Sequence, residues 1–522
     1  MTEEIREVDC LVIGTGIAGC AAAVSLADAG REVLMVTRSA APEETATAWA
    51  QGGIIFRGEE EADSALLVKD ILEAGAGACY PPAVELVAAE GPSLVQEILV
   101  DRLAVPFARN GDGALSRTGE GAHSVRRVIH YEDQTGRAIE RALLQHLQDD
   151  PHVSILARHT AVDLLTLAHH STRRWDAYEK PRCVGAFVLD QATGEVRTVL
   201  ARETVLATGG LGQLYLHTTN PPGARGDGVA MAYRTGARIM NLEYVQFHPT
   251  ALYRKSAKRF LVSEAVRGEG GRLVTPSGEE FMQRYDDRGA LAPRDIVARA
   301  LHEEMIKHGS PCMYLDISHK PADWIRNRFP AIHEECLHEG VDMTKDPIPV
   351  VPAAHYSCGG VAVDADGNTT IESLKAVGEV SCTGVHGANR LASTSLLEGL
   401  VWGVRAGRDI GRRLDDERRP FPEIRPWQAE TDPVDRDLLA QDWLTIQHTM
   451  WNYVGLVRTP KRLDRAMHIL RELTDEVQKF YAGGELSDDL LGLRNGSAVA
   501  QLVLNAALRN RNSRGCHYIR ED

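Results

Sequence analysis

The segment Gly14-Thr15-Gly16-Ile17-Ala18-Gly19 has the G-x-G-x-x-G spacing that brings a backbone turn against a pyrophosphate. Each glycine plays its own part. Gly14 makes the bend, Gly16 admits the phosphate, and Gly19 lets strand and helix pack closely. The helix that follows offers the N–H groups of its first turn to the phosphate charge. Taken alone, the spacing also fits a glycine-rich packing turn, so the flanking elements have to decide. Glu379 closes the run Ala376-Val377-Gly378-Glu379 and can accept hydrogen bonds from hydroxyl groups. A helix starting near Ser393 favours negative charge on a ring held at its N-terminus. His248, between Phe247 and Pro249, reads more readily as structural than as catalytic when taken singly. Arg390 fits an ion pair in a loop as well as an anion clamp.

The elements around the glycines support the phosphate reading. Asp9 to Ile13 is a short apolar run that predicts a strand. Ile17, Cys20, Ala21 and Val24 then recur at helical spacing until Gly30, and Val33 to Val36 predicts a second strand. This is a βαβ unit, with one departure. Its second strand ends Val36-Thr37-Arg38, so the acid expected there to hold an adenosine ribose is absent and the ribose must be held differently. Between Val153 and Thr208, period-two segments interrupted by Gln191-Ala192-Thr193-Gly194 predict a β-rich layer with a hairpin, leading into a strand over Thr204–Ala207. From Asn241 to about Pro349 the texture changes to a mixed insert, with a strand within Cys312–Ser318. After the prolines at 420, 422 and 426 come two helical stripes, Leu439, Trp443, Ile446, Met450, Val454 and then Leu463, Met467, Leu470, Val477, Phe480, whose Met and Trp read as core. No internal repeat is present.

Composition excludes several classes. A chain of 522 residues with 43% hydrophobic and 25% charged residues is a multidomain globular protein. The formal net charge of −15, without a cluster of Lys and Arg, argues against nucleic acid as a partner. Nine cysteines stand singly with no C-x-x-C pair, which suits a reduced, cytoplasmic compartment and neither zinc nor an iron-sulfur cluster. Glu3, Glu4, Glu7 and Asp9 near the start are the opposite of a secretory signal. The uncharged run Cys10–Ala27 contains three glycines and suits a strand-turn-helix rather than a membrane span, so no membrane partner is expected.

A set of ordered segments resembles the fumarate reductase and succinate dehydrogenase flavoprotein family, and within it the members that oxidise L-aspartate. The matching stretches are Ala50-Gln-Gly-Gly53, Ala207-Thr-Gly-Gly210, Gly226-Asp-Gly228, Gln246-Phe-His-Pro-Thr250, Glu264-Ala-Val-Arg-Gly-Glu-Gly270, Ala292-Pro-Arg-Asp295, Pro352–Gly360, His386-Gly-Ala-Asn-Arg390 and Ser513–Tyr518. The resemblance implies an α/β fold: a Rossmann-like FAD-binding domain over 1–240 and 350–420, an inserted α+β capping domain over 241–349, and a C-terminal helical bundle over 421–522. It implies FAD contacts from Gly14, Thr15, Gly16, Ile17, Ala18, Gly19, Arg38, the loop Ala46, Thr47, Ala48, Trp49, Ala50, Gln51, Gly52 and Gly53, and from Asp227, Glu379, Ser395 and Leu396. Membrane-complex relatives bond the flavin through a histidine at a position that falls on Ala46, so non-covalent FAD is implied here.

Oxidising a dicarboxylic amino acid requires both carboxylates pinned, the ammonium recognised, and the C2 hydrogen aimed at the flavin. By the resemblance, Arg390 and His355 hold one carboxylate while His248 and Ser263 hold the other; Ser263 stands where relatives commonly have threonine. Glu120 matches the acid that meets the amino group, and a carboxylate there favours an ammonium over the methylene of succinate. Arg294 is assigned proton transfer with Glu264 and Arg267 as relay, although a guanidinium, protonated at any working pH, would by its chemistry alone be a clamp. The implied reaction converts L-aspartate to iminoaspartate, with oxygen or fumarate reoxidising the flavin. It would be the first step of NAD synthesis, functionally linked to a quinolinate synthase. The competing readings are a fumarate reductase or succinate dehydrogenase subunit, opposed by Ala46 and Glu120, and a flavin-binding module without turnover.

Overall fold

The computed structural model describes residues 6–58, 63–254, 260–416, 419–430 and 432–521. Its centre is a seven-stranded sheet. β1 (Arg6–Ile13) pairs in parallel with β2 (Val33–Val36), which pairs in parallel with β3 (Val153–Leu156). On the other side of β1 lies β6 (Val196–Leu206), the second arm of a hairpin with β5 (Cys183–Asp190), and β4 (His159–Thr166) completes that antiparallel layer. The expected hairpin at Gln191–Gly194 is this β5–β6 turn. The strand expected over Thr204–Ala207 is the end of the 11-residue β6, which serves both the meander and the parallel sheet.

Side chains of β1 and β2 alternate between two cores. Cys10, Val12, Val33 and Met35 pack on the side of helix α1 (Ile17–Asp28), whereas Leu11, Ile13, Leu34 and Val36 belong to a second core that extends to the C-terminal helices. A sheet covered on both faces explains why both strands read as continuous apolar runs. Helix α1 is itself buried along its length, between helix α2 (Thr135–Gln148) and the long helix α6 (Thr394–Asp416). A Cβ at Gly403 would lie 2.4 Å from the Ala18 carbonyl oxygen, and one at Gly407 would lie 2.6 Å from that of Ala22, so glycine is what lets α1 and α6 meet backbone to backbone.

The insert has its own core, around Phe281, Leu301, Met313, Leu315 and Ile348, and its own antiparallel sheet. In that sheet β7 (Val245–Leu252) pairs with β10 (Ile348–Ser357), which pairs with β9 (Met313–Asp316), which pairs with β8 (Arg272–Val274). The expected joint at residue 349 lies inside β10, a continuous hydrogen-bonded strand. The chain thus enters and leaves the insert through two neighbouring strands, which also line the site described below. Helices α7 (Arg436–Tyr453), α8 (Pro460–Gly483) and α9 (Asp488–Arg509) follow, with Leu439, Ile446, Met450, Leu463, Leu470 and Val477 buried and Trp443 and Met467 packed at the edge of the same core. Among the described residues no helix is long and apolar enough to cross a membrane. All nine cysteines are free thiols.

Candidate active site

One cleft is lined by almost all of the residues the sequence singles out. In its first region, Gly14 leaves β1 with φ of 115°, and a Cβ there would fall 2.2 Å from the Ala207 carbonyl oxygen at the end of β6. Any side chain would push the sheet apart. Gly16 is the N-cap of α1, and the Ile17 N–H donates to the Thr47 hydroxyl at 3.0 Å, tying the loop 46–53 to the glycine turn. Thr15 donates to the Pro42 carbonyl at 2.7 Å. Thr15, Ile17 and Ala18 line the cleft with Arg38, Ala46, Thr47, Trp49, Ala50, Gln51, Gly52, Gly53, Asp227, Glu379, Ser395 and Leu396.

Two expected cofactor residues do not line it. Gly19 packs behind the turn, where a Cβ would meet the Gly14 carbonyl oxygen at 2.3 Å, and Ala48 lies within the loop away from the opening. A long groove with a glycine turn at a helix N-terminus and a loop of small residues fits FAD. A methyl at Ala46 offers no nitrogen for a covalent bond to flavin. Glu379 accepts the Ser357 N–H at 2.9 Å, and burial lifts its carboxyl to about 7. No Cβ fits at the facing Gly210, which would meet Glu379 Oε1 at 2.1 Å.

The second region is a cluster of buried charge. His248 on β7 and His355 on β10 lie with ring centroids 5.0 Å apart because their strands pair. The Thr250 N–H donates to His248 Nδ1 at 3.2 Å, which leaves Nε2 to carry the proton of the neutral ring. Burial, and then the charge of Arg294, hold both imidazoles well below their ordinary range, so each is neutral at physiological pH. Ser263 is the N-cap of a short helix α4 (Glu264–Gly268); its oxygen accepts the Ala265 N–H at 3.2 Å, which frees its proton for a ligand.

That helix carries Glu264, and helix α5 (Arg294–His308) opens with Arg294, whose Nε donates to Glu264 Oε2 at 2.5 Å while Nη1 donates to Gln246 Oε1 at 3.0 Å. Burial pushes the Glu264 carboxyl up, but Arg294 and Arg267 outweigh it and hold it below the ordinary value. Arg267 reaches Glu264 at 3.5 Å and donates to the Ala290 carbonyl, yet it lies behind the wall and does not line the cleft. Arg390 lies 4.6 Å over the Tyr356 ring and donates to Ser395 at 3.0 Å; burial, reinforced by Arg294, lowers it to about 10, still cationic at neutral pH.

Glu120 stands between the two regions. Its Oε1 would lie 2.7 Å from a Cβ at Gly52 of the loop 46–53, and its Oε2 accepts the Ser393 hydroxyl at 2.6 Å. Burial raises this carboxyl above the ordinary range; the Ser393 bond opposes that rise and the nearby Glu264 adds to it. Ser393 itself sits at φ 57°, just before α6, a left-handed conformation that costs a serine about 1–3 kcal/mol.

Sequence reasoning missed several residues of this wall. Gln246 belongs to a motif but had no assigned role; it joins Arg294 to the Asn389 side chain (2.7 Å) and the Arg390 carbonyl (2.8 Å). Ser393, Tyr356 and Thr219, which bonds His355 Nδ1 at 2.8 Å, also emerge from the fold. The first two flank the motif residues Arg390 and His355, and that adjacency was the available signal. For Thr219 no local pattern exists.

Residues 9–396 match the family model of the FAD binding domain, and 443–522 match that of the fumarate reductase flavoprotein C-terminus. The chain is 45% identical to the L-aspartate oxidase of Pseudomonas aeruginosa, covering 98% of this chain and 94% of that protein. It is 40% identical to the chloroplastic L-aspartate oxidase of Oryza sativa, covering 99% and 82%. Among solved structures, a point mutant of FrdA from E. coli quinol fumarate reductase superposes with a TM-score of 0.87 at 26% identity, covering 99% of this chain and 92% of that one. The chain belongs to the L-aspartate oxidase family, within the FAD-binding flavoproteins that carry the fumarate reductase flavoprotein C-terminal domain.

Proposed function

We propose that the chain oxidises L-aspartate to iminoaspartate, with oxygen or fumarate as the final acceptor. FAD, held by the glycine turn at Gly14–Ala18 and the loop 46–53, would supply a two-electron sink for the C2 hydride. Arg390 and His355 grip one carboxylate, and His248 Nε2–H and Ser263 donate to the other. The ionised Glu120 pairs with the ammonium and orients it. The amine gives up a proton as C2 gives up its hydride, leaving a C=N bond. Arg294 closes the site over the substrate, and its bond to Glu264 provides the path by which the proton given up by the amine leaves.

The observation that carries this reading is the position of Glu120, a buried carboxylate between the flavin loop and the arginine cluster. A succinate methylene has no charge to meet it there. Iminoaspartate is reactive in water and must be consumed by a following condensation, which is the role of a quinolinate synthase in NAD synthesis in the cytoplasm. The test is anaerobic: the yellow protein is mixed with L-aspartate or with succinate. Bleaching by aspartate supports the proposal; bleaching by succinate alone assigns the chain to dicarboxylate oxidation instead.

A further inference from the structure

The acid missing from the end of β2 has a distant counterpart. Arg38, which occupies that place, donates through Nη2 to Asp488 Oδ2 at 2.5 Å and through Nε to Oδ1 at 3.2 Å. Asp488 lies on the first turn of α9, 450 residues further along the chain. The same carboxylate accepts the Thr160 hydroxyl at 2.7 Å and both terminal nitrogens of Arg225, at 3.1 and 3.2 Å. Arg225 in turn holds Asp227, which opens helix α3 (Asp227–Arg234), through two bonds at 3.0 and 3.2 Å. Arg38, Thr160 and Asp227 all line the cleft, whereas Asp488 does not.

The rest of α9 repeats the arrangement at helical spacing. One turn on from Asp488, a Cβ at Gly492 would lie 2.4 Å from Arg225 Nη1, so glycine is what lets the guanidinium lie against the helix. Another turn on, Asn495 donates to Asp227 Oδ1 at 2.8 Å. Positions 488, 492 and 495 therefore form one face of α9 that meets the walls of the glycine-turn region.

We propose that Asp488 is a positioning residue for FAD: from the C-terminal helical region it holds Arg38, Thr160 and, through Arg225, Asp227 in the geometry that grips the adenosine half of the cofactor. FAD retention is thereby coupled to the docking of α9. The inference rests on FAD as the cofactor and is independent of the substrate. Asp488 is held far below the ordinary carboxylate range: burial opposes ionisation, but Arg225 and the Arg38 bond outweigh it. The lock is therefore fully formed above the unfolded value near 3.9 and opens only in strong acid.

The test measures FAD release on dilution of the holoenzyme, read as recovered flavin fluorescence, for the parent and for Asp488→Asn. The expected result is a Kd for FAD raised tenfold or more, with turnover and KM for aspartate restored at saturating FAD. A Kd within twofold of the parent overturns the proposal. In an Arg38→Ala background, Asp488→Asn should cost less than it does alone, and full additivity overturns the route through Arg38. Should Asp488→Asn fail to fold, Asn495→Ala removes the neighbouring bond to Asp227. It should raise the Kd at least threefold; an unchanged Kd overturns the coupling. Failure of aspartate to bleach the parent would sink the proposed function and leave this measurement intact.

Discussion

The two regions of the cleft are built on different principles. In the first region the glycine turn comes from a short local segment and works through backbone, with a bend at Gly14 and an N-cap at Gly16, while the Arg38–Asp488 network supports the wall beside it. The arginine region draws side chains from β7, α4, α5, β10 and the loop before α6, and it gathers Arg294, Arg390, Glu264 and Glu120 with little solvent. Such a backbone turn is nearly neutral and tolerates change in side chains that do not clash. A side-chain site stores its function in charges that stabilise one another, so removal of one member leaves the others buried without a partner. Flavin binding and substrate chemistry should therefore fail separately.

Four substitutions test that separation, the first three aimed at the arginine region. The largest effect is expected for Arg294→Lys, which keeps the charge but loses the fork joining Glu264 and Gln246. Turnover should fall about 10²–10⁴-fold, the range for a proton-transfer group, while the Kd for aspartate changes little. Near-normal turnover in single-turnover bleaching would remove Arg294 from proton transfer. Arg390→Ala leaves a carboxylate without its partner, at ~2–5 kcal/mol, or roughly 30- to 5,000-fold in kcat/KM. Flavin content, read from the visible spectrum, should stay unchanged; its loss would contradict the separation.

Glu120→Gln keeps the shape and removes the charge. Aspartate oxidation should fall by about 1.5–3 kcal/mol, roughly ten- to a hundredfold in kcat/KM, while fumarate reduction by the reduced flavoprotein barely changes. Because burial raises the Glu120 carboxyl, the ionised form that meets the ammonium is lost as pH falls through a value above the ordinary 4.3. The acid limb of kcat/KM for aspartate should therefore begin above that value in the parent and vanish in the variant. An identical limb in both would show that another group titrates.

The smallest effect on chemistry belongs to Gly14→Ala. A left-handed alanine there, with its Cβ against the Ala207 oxygen, should cost ~1–3 kcal/mol of stability, read as a lower Tm, together with lower flavin content. The molecules that keep FAD should turn over aspartate at the parent rate per flavin. A fall in that per-flavin rate would show that the two regions are coupled more tightly than their construction suggests.

Much of the fold was legible in the sequence because the βαβ unit is local. The strand Val33–Val36, the helix after the turn and the β5–β6 hairpin follow from period and turn chemistry within a few residues of each other. His248, Ser263, Arg294, His355 and Arg390 were found through ordered motifs, and the structure brings all five to one cleft with Glu120. Arg267 and Gly19 fell behind its walls, since a motif does not tell which side of a wall a residue takes. Gln246, inside a motif, and Ser393, beside one, take a role only once β7 meets α5 and once Glu120 meets the start of α6.

The sequence by itself determined the phosphate turn, the succession of sheet, insert and helices, and the chemical kinds of group available, because each depends on neighbours along the chain. It also announced that an acid was missing after β2. Tertiary structure alone decided which carboxylate serves Arg38 in its place. Asp488 reaches it because α9 shares an apolar core with one face of the central sheet, an arrangement set by apolar burial rather than by any local pattern. It likewise decided that two histidines from the two ends of the insert stand side by side, since β7 and β10 pair across the joint.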